Sequence, residues 1–306
     1  LTTDPIVALD HLGIPVEGVL ERIKFLGRPV ITGTELLLDL NDLSASSATL
    51  QKLDESGIEL MTASGRKTLM ENAKGVFSLN RGTFEAKNFT AKILGGNARL
   101  DFKSTPFLEK PSYAIAVNVK DVSIDAANRW LDPSQTMVQT GTFNLNFDGK
   151  WSESFESLNG KGRATIDAES ASAQGFPVVS GLVGFLEHLF PVLVRSRHWE
   201  FDLPFTAADG KIKSSEAALT GRRVSAKLRG SVDWVNGKVD VIAGVNLRGL
   251  VGIATGLARP LREDFIEVTG RGPLDNISWT RRRNSERREQ RRENRSDGQR
   301  RGILRR

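Results

Sequence analysis

The sequence predicts a mainly β protein with a few short helices, its antiparallel strands repeating into a curled sheet that is groove-like or sandwich-like. Three observations carry that expectation. Short segments alternate apolar and polar residues, glycine or asparagine punctuates them, and few stretches show helical spacing. Twenty-nine glycines and no cysteine fit strands and turns that need no disulfide, and the same count excludes thiol catalysis and thiolate metal sites.

A chain of 306 residues can bury a substantial core in one large or two modest domains. Residues 1–72 read as a mixed helix and strand segment continuing from a longer protein, since LTTDPIVALD has neither the basic start nor the apolar run of a signal peptide. Within it, PVEGVLERIKFL (Pro15 to Leu26) sets Val16, Val19, Leu20 and Ile23 at helical spacing, with Pro15 suited to a first turn. ITGTELLLDLNDLSAS then reads as strands broken by turn residues, and LQKLDESG, ending on Gly57, as a short helical turn.

Residues 73–150 form a β-repeat module of alternating segments, each of about 6 to 10 residues. Phe84 and Phe89 precede Gly95-Gly96, Ala98, Leu100 and Phe102 share one strand face, and AANRWL interrupts the strands with a helix. Residues 151–280 repeat the pattern around an apolar helix at 176–194. Glu187, His188 and two prolines make that helix buried or surface-seeking rather than membrane-spanning. Its Phe176, Val179, Leu182, Phe185, Leu186 and Leu189 are the candidates to cap a groove or meet a membrane.

GRRVSAKLRGSVDWVNGKVDVIAGVNL (Gly221 to Leu247) reads as a hairpin, because Asn236-Gly237 accepts the positive φ angles of a two-residue type I′ turn. Pairing Val235 with Lys238 sets Trp234 opposite Val239, Val232 opposite Val241, Leu228 opposite Val245 and Ala226 opposite Leu247. Ser225, Lys227, Arg229, Asp233, Asp240 and Asn246 fall on the other face. Ala226, Leu228, Val232, Trp234, Val239, Val241 and Val245 are therefore the candidate lining of an apolar surface, which closes as an ordinary core or stays open as a groove.

Little in the chain resembles a catalyst. His11, His188 and His198 are scattered, with His188 expected on a helix and His198 at a strand entry beside Trp199. No nucleophile elbow or Walker sequence occurs, and Gly160-Lys161-Gly162 reads as a turn rather than a dinucleotide loop. Asp202, Asp209, Glu216 and Asp233 are spread over strands and turns as solvated residues, so no enzyme activity and no cofactor or metal is expected.

Residues 281–306 hold twelve arginines against four carboxylates, a net of +8 that leaves about −2 for the rest of the chain. With Ile303 and Leu304 as its only apolar residues, this tail is expected to be disordered or a solvated, charge-laced helix. Its Arg281, Arg282, Arg283, Arg287, Arg288, Arg291 and Arg292 suit an anionic membrane surface or an acidic partner, with nucleic acid ranked last.

The segment from Leu158 to Trp279 resembles the C-terminal region of AsmA-like proteins, relatives of TamB and YhdP. The resemblance is carried in order by LNGKGRATIDAESASAQGFPVVSGL, FDLPFTAADGKIKSSEAALTG, GRRVSAKLRGSVDWVNGKVDV and VTGRGPLDNISW, with Ile277 near where that family has proline. GVFSLNRGTFEAKNFTAKILGGNARLDF and YAIAVNVKDVSIDAANRWL are similar to its preceding repeat. The resemblance implies a periplasmic β-groove, held in the inner membrane by an upstream helix, which lets phospholipid acyl chains slide between the two membranes or serves outer-membrane assembly, with other envelope proteins as partners. A β-rich scaffold with a closed core is the alternative.

Overall fold

The computed structural model describes residues 23–26, 31–37, 47–52, 57–61, 67–80, 83–105, 112–131, 140–152, 154–169, 177–189, 198–247, 266–274 and 276–281. Alternation along the chain becomes a single antiparallel sheet. Its first strands are β1 (Ile23–Phe25), β2 (Ile31–Leu37), β3 (Ser47–Lys52) and β4 (Ile58–Met61). The long strands follow: β5 (Lys67–Asn80), β6 (Thr83–Ile93), β7 (Gly96–Thr105), β8 (Ser112–Ser123), β9 (Gly141–Ser152) and β10 (Ser154–Ala168). They continue as β11 (Trp199–Ala208), β12 (Lys211–Gly221), β13 (Val224–Asp233), β14 (Lys238–Leu247), β15 (Ile266–Pro273) and β16 (Ser278–Arg281). From β4 to β16 each strand beyond β4 pairs with its sequence neighbour; β1 pairs β4, and β3 joins β2 to the far half of β5. The sheet is open and curled. The line drawn between residues 150 and 151 falls inside β9.

Two short helices are present among the described residues. α1 (Ile124–Leu131) follows β8, where the Ala126 amide donates to Ser123 Oγ at 3.3 Å as an N-cap bond and Asp125 pairs with Arg129 at 3.0 Å one turn on. α2 (Pro177–Leu189) begins on a proline, whose fixed φ suits a first helical turn. Both helices connect strands at the same end of the sheet, with the β6–β7 and β12–β13 turns; the β7–β8, β9–β10, β11–β12 and β13–β14 connections lie at the opposite end.

Bulges bend the long strands. Register shifts fall at residues 71–76 of β5, 86–89 of β6 and 119–122 of β8, where Asn72, Asn88 and Asp121 take φ near +50 to +58°. Two of the amides displaced from the ladder find side-chain acceptors one strand away: Asn88 N–H donates to Asp101 Oδ1 at 2.6 Å, and Asp121 N–H to Asn144 Oδ1 at 2.8 Å. The extra residue at Asn88 also explains how Phe84 and Phe89, of opposite parity, pair with Ser104 and Leu100 on one face.

Five expectations are corrected. Ile23–Phe25, assigned to the N-terminal helix, is strand β1, and Leu50–Lys52, read as a helical turn, belongs to β3; short apolar segments are ambiguous in period until a partner strand is available. The rest of that helix, Pro15 to 22, lies outside the described residues. Gly160-Lys161-Gly162 is mid-strand, paired on both sides with β9 and β11. The strands also run longer than expected, to 15 residues in β10.

The fifth correction is the register of β13 and β14. Asp233 faces Lys238, Val232 faces Val239, Gly230 faces Val241, Leu228 faces Ala243 and Ala226 faces Val245, two residues away from the expected pairing. Trp234 to Gly237 form a four-residue turn in which Gly237 has φ +61° and Asn236 is not left-handed. The Asp233 carboxylate explains the difference, accepting the Asn236 backbone amide at 2.9 Å and its side-chain amide at 3.1 Å. Neighbouring hairpins hold the turn as well: Trp234 N–H donates to Gly210 O at 3.0 Å, and Leu274 N–H to Gly237 O at 2.8 Å. Because the slip is two residues, every side chain that stays on the two strands keeps its face, while Trp234 passes into the turn.

Candidate functional site

The paired registers put one continuous apolar row on one face of the sheet. On β7, β8 and β9 it runs Leu100–Val117–Phe147 and Phe102–Ile115–Gly149; on β9, β10 and β11 it runs Phe143–Ile166–Phe201 and Leu145–Ala164–Leu203. Asn118, Lys120, Asn144, Asn146, Arg163, Asp167 and Asp202 occupy the other face. A two-faced sheet needs a cover or a ligand on its apolar side.

Over β11 to β16 the cover is α2. Leu182, Val183 and Leu186 are fully buried in one cluster with Trp199, Leu219, Val224, Val245, Val268 and Trp279, and Phe185 packs against its edge. Trp279 fits because glycines flank it: a Cβ at Gly181 would stand 2.7 Å from its Nε1, and one at Gly270 2.8 Å from its six-membered ring. Ile124 of α1 reaches the same cluster, while Trp130 Nε1 donates to the Lys67 carbonyl at 3.1 Å, carrying α1 across the end of the sheet toward β5.

Over β7 to β9 no described helix takes that role. Phe102, Tyr113, Ile115, Val117, Val119, Leu145, Phe147 and Trp151 remain half-buried, forming the floor of an apolar trough. At the turn end its rim is a run of aromatic rings crossing successive strands. Phe77 to Phe84, Phe84 to Phe102, and Phe102 to Tyr113 have centroids 6.5, 6.1 and 6.2 Å apart. Tyr113 stacks on Trp151 at 5.0 Å, Trp151 meets Phe155 edge-on at 5.8 Å, and Phe155, itself 60% exposed, reaches Trp234 at 6.3 Å. Farther in, Phe147 and Phe205 stack at 5.9 Å over a glycine path: Cβ atoms at Gly149 and Gly160 would collide with the Phe147 ring, and one at Gly162 with that of Phe205.

The sequence-derived candidates divide between these two regions. Ala226, Leu228, Val239, Val241 and Val245 are buried in the cluster that contains α2, and half-buried Val232 packs against it. Leu228, Val232 and Val241 also line a partly open apolar pocket. Trp234 is not on the strand face; it sits in the turn at the end of the aromatic rim. In α2, Leu182, Phe185 and Leu186 face the sheet. Phe176, the side chains of Val179 and Leu189, and Arg282, Arg283, Arg287, Arg288, Arg291 and Arg292 lie outside the described residues; Arg281 ends β16, exposed. No helix among the described residues is long and apolar enough to cross a membrane.

The main floor of the open trough, β7 to β9, was not singled out by sequence reasoning. Its signal was weaker than that of the hairpin: Tyr113, Ile115, Val117 and Val119 alternate with Ala114, Ala116 and Asn118, so large against small residues mark the face more than apolar against polar.

Several charged groups on the outer face are paired. Arg163 holds Asp202 in a two-pronged bond at 2.6 and 2.7 Å, which raises the arginine's own pKa; Arg229 meets Glu267 at 3.4 Å and Arg271 meets Asp240 at 3.1 Å. Glu85 is held below the usual carboxylate range by hydrogen bonds from Lys103 and then Lys87. Asp233 is held low by the Asn236 amides and, more weakly, by Lys211. His198, at the entry to β11, stands 3.5 Å from Asp167 and 3.3 Å from Glu200. No group of three or more His, Asp or Glu among the described residues is arranged to hold a metal ion.

No family model, curated protein or solved structure matches the chain.

Proposed function

We propose that this chain is a non-enzymatic module whose apolar trough carries the acyl chains of phospholipids. One observation carries the reading: the apolar face runs unbroken across β7 to β9 with half-exposed side chains and no described helix over them. Burying a methylene is worth about 0.8 kcal/mol, so a chain of some fifteen carbons gains on the order of 10 kcal/mol in such a trough. The contacts are aliphatic and aromatic, with the side-chain hydrogen-bond donors Ser104, Tyr113 and Trp151 confined to the rim, so a chain can shift along the floor without breaking directional bonds. The AsmA-like motifs extend the reading to a periplasmic module of a longer, membrane-anchored protein, passing lipid between inner and outer membranes or serving outer-membrane assembly. The Arg-rich tail then meets an anionic membrane surface or an acidic partner.

A closed-core scaffold is favoured by one region, β11 to β16, where α2 fills the face. Lipid extraction followed by mass spectrometry, with a fluorescent fatty-acid titration, separates the two. Stoichiometric lipid, lost in a folded Val117→Asp variant, supports the trough; lipid-free protein that fails to bind the probe supports the scaffold.

A further inference from the structure

Between the open trough and the core filled by α2 lies a pocket of about 180 Å³, walled by Val178 at the start of α2 and by Leu203, Ile212, Leu228, Val232 and Val241 of the sheet. Building on the reading of the trough as a lipid site, we propose that this pocket receives the methyl end of one linear acyl chain and is the place where the trough stops.

The pocket wall gives a polar group little to bind. The hydroxyl of Ser214, the polar side chain nearest the floor, is already donated to the Pro204 carbonyl at 2.6 Å, and Arg229 and Ser231 belong to the outer-face register of β13. A ligand with its polar end inside would leave that end unpaired, which costs on the order of 1–3 kcal/mol, so the end that enters is the hydrocarbon end. The floor stays open because Gly230, at φ +149°, cannot carry a side chain: a Cβ there would stand 2.2 Å from the Asp240 carbonyl. A bulge between Ser214 and Ala217 of β12 breaks the ladder beside it.

Size and surroundings limit the occupant further. At ~30 Å³ for a group the size of water, the volume holds about six such groups, which matches the last carbons of a chain and excludes a whole lipid. Beyond it the face is closed by Leu182, Val183 and Leu186 against Val245 and Val268. On the turn side, Phe155 meets Trp234, and Gly210 N–H bonds the Glu156 carbonyl at 3.1 Å, tying the β9–β10 tip over the β11–β12 turn. A chain lying in the trough therefore meets the pocket end-on, with its headgroup left on the β7 to β9 side.

Two experiments on the whole chain test this. A fatty acid with a diazirine on its terminal carbon is photolysed on the wild-type protein and the adducts are mapped; labels at Ile212, Leu228 and Val232 are expected, and labels spread over β7 to β9 overturn the pocket. Saturated fatty acids of eight to eighteen carbons are then titrated against wild type and Ile212→Trp, which fills the pocket without leaving a hole. Wild-type affinity should rise by up to roughly four-fold per carbon until the pocket is full, and the variant should reach its plateau about six carbons earlier. Identical profiles overturn the pocket while leaving the trough standing. A fused-ring sterol that outcompetes every linear chain overturns the choice of occupant, and absence of any binding to wild type overturns the trough reading itself.

Discussion

Leu186→Ala tests whether α2 is a docked cover with its own stability. Leu186 is fully buried among the sheet residues beneath the helix. Truncation removes three carbons, about 2.4 kcal/mol of transfer free energy, and the unfilled space raises the loss to about 3 kcal/mol. A free helix of 13 residues is marginal in water, so α2 exchanges its amides when it leaves the sheet. At 1.4 kcal/mol per decade, exchange should accelerate about a hundred-fold in 177–189, with faster exchange in the strands it covers, β14 and β15, and little change in β7 to β9. Hydrogen–deuterium exchange read by mass spectrometry measures this, with His188→Ala on the exposed side of α2 as the control. An equal acceleration everywhere, or none in α2, would refute the idea of a separately docked cover.

Other outcomes follow from the same geometry. Leu228→Asp should abolish folding of the β11–β16 region, because a carboxylate enters a site only 3% exposed with no cation among the described residues of its face, whereas Val117→Asp should stay folded and lose probe binding; circular dichroism beside the titration distinguishes them. Gly230→Ala should lower the unfolding midpoint, since it combines a left-handed φ with a collision against the Asp240 carbonyl; a neutral result would show that β13 relaxes freely there. Asp233 has a depressed pKa in the fold, so its support for the turn is complete above the ordinary carboxylate value of about 3.9 and is lost as pH falls through the lower folded value. Tryptophan fluorescence should report a loosened Trp234 turn at that acid end, and Asp233→Ala should show the loosened signal at all pH values.

The faces of this sheet were legible in the sequence and its registers were not. Alternation in Ser225 to Asp233 and Lys238 to Asn246 sorts polar from apolar residues by parity alone, and parity survives a two-residue slip. The slip itself came from Asp233 binding Asn236, a side-chain bond that outweighed the Asn-Gly preference for a two-residue turn. Gly160 and Gly162 look like turn residues because the reason for them, the Phe147 and Phe205 rings lying across the backbone, comes from two other strands. The same non-locality hid the trough and the pocket: Phe155 and Trp234 are 79 positions apart in the chain and meet only because the sheet curls. The apolar helix was legible in composition, yet its burial against β11 to β16 depends on Gly181 and Gly270 admitting Trp279, which no local pattern announces.

The central claim is that one face of β8 touches lipid and the other does not. A photoreactive amino acid placed in turn at Tyr113, Ala114, Ile115, Ala116, Val117, Asn118 and Val119, followed by irradiation with phospholipid and mass spectrometry of the adducts, reads this directly. Adducts at 113, 115, 117 and 119 with none at 114, 116 and 118 are the predicted result; adducts at all seven positions, or at none in a folded protein, would contradict it.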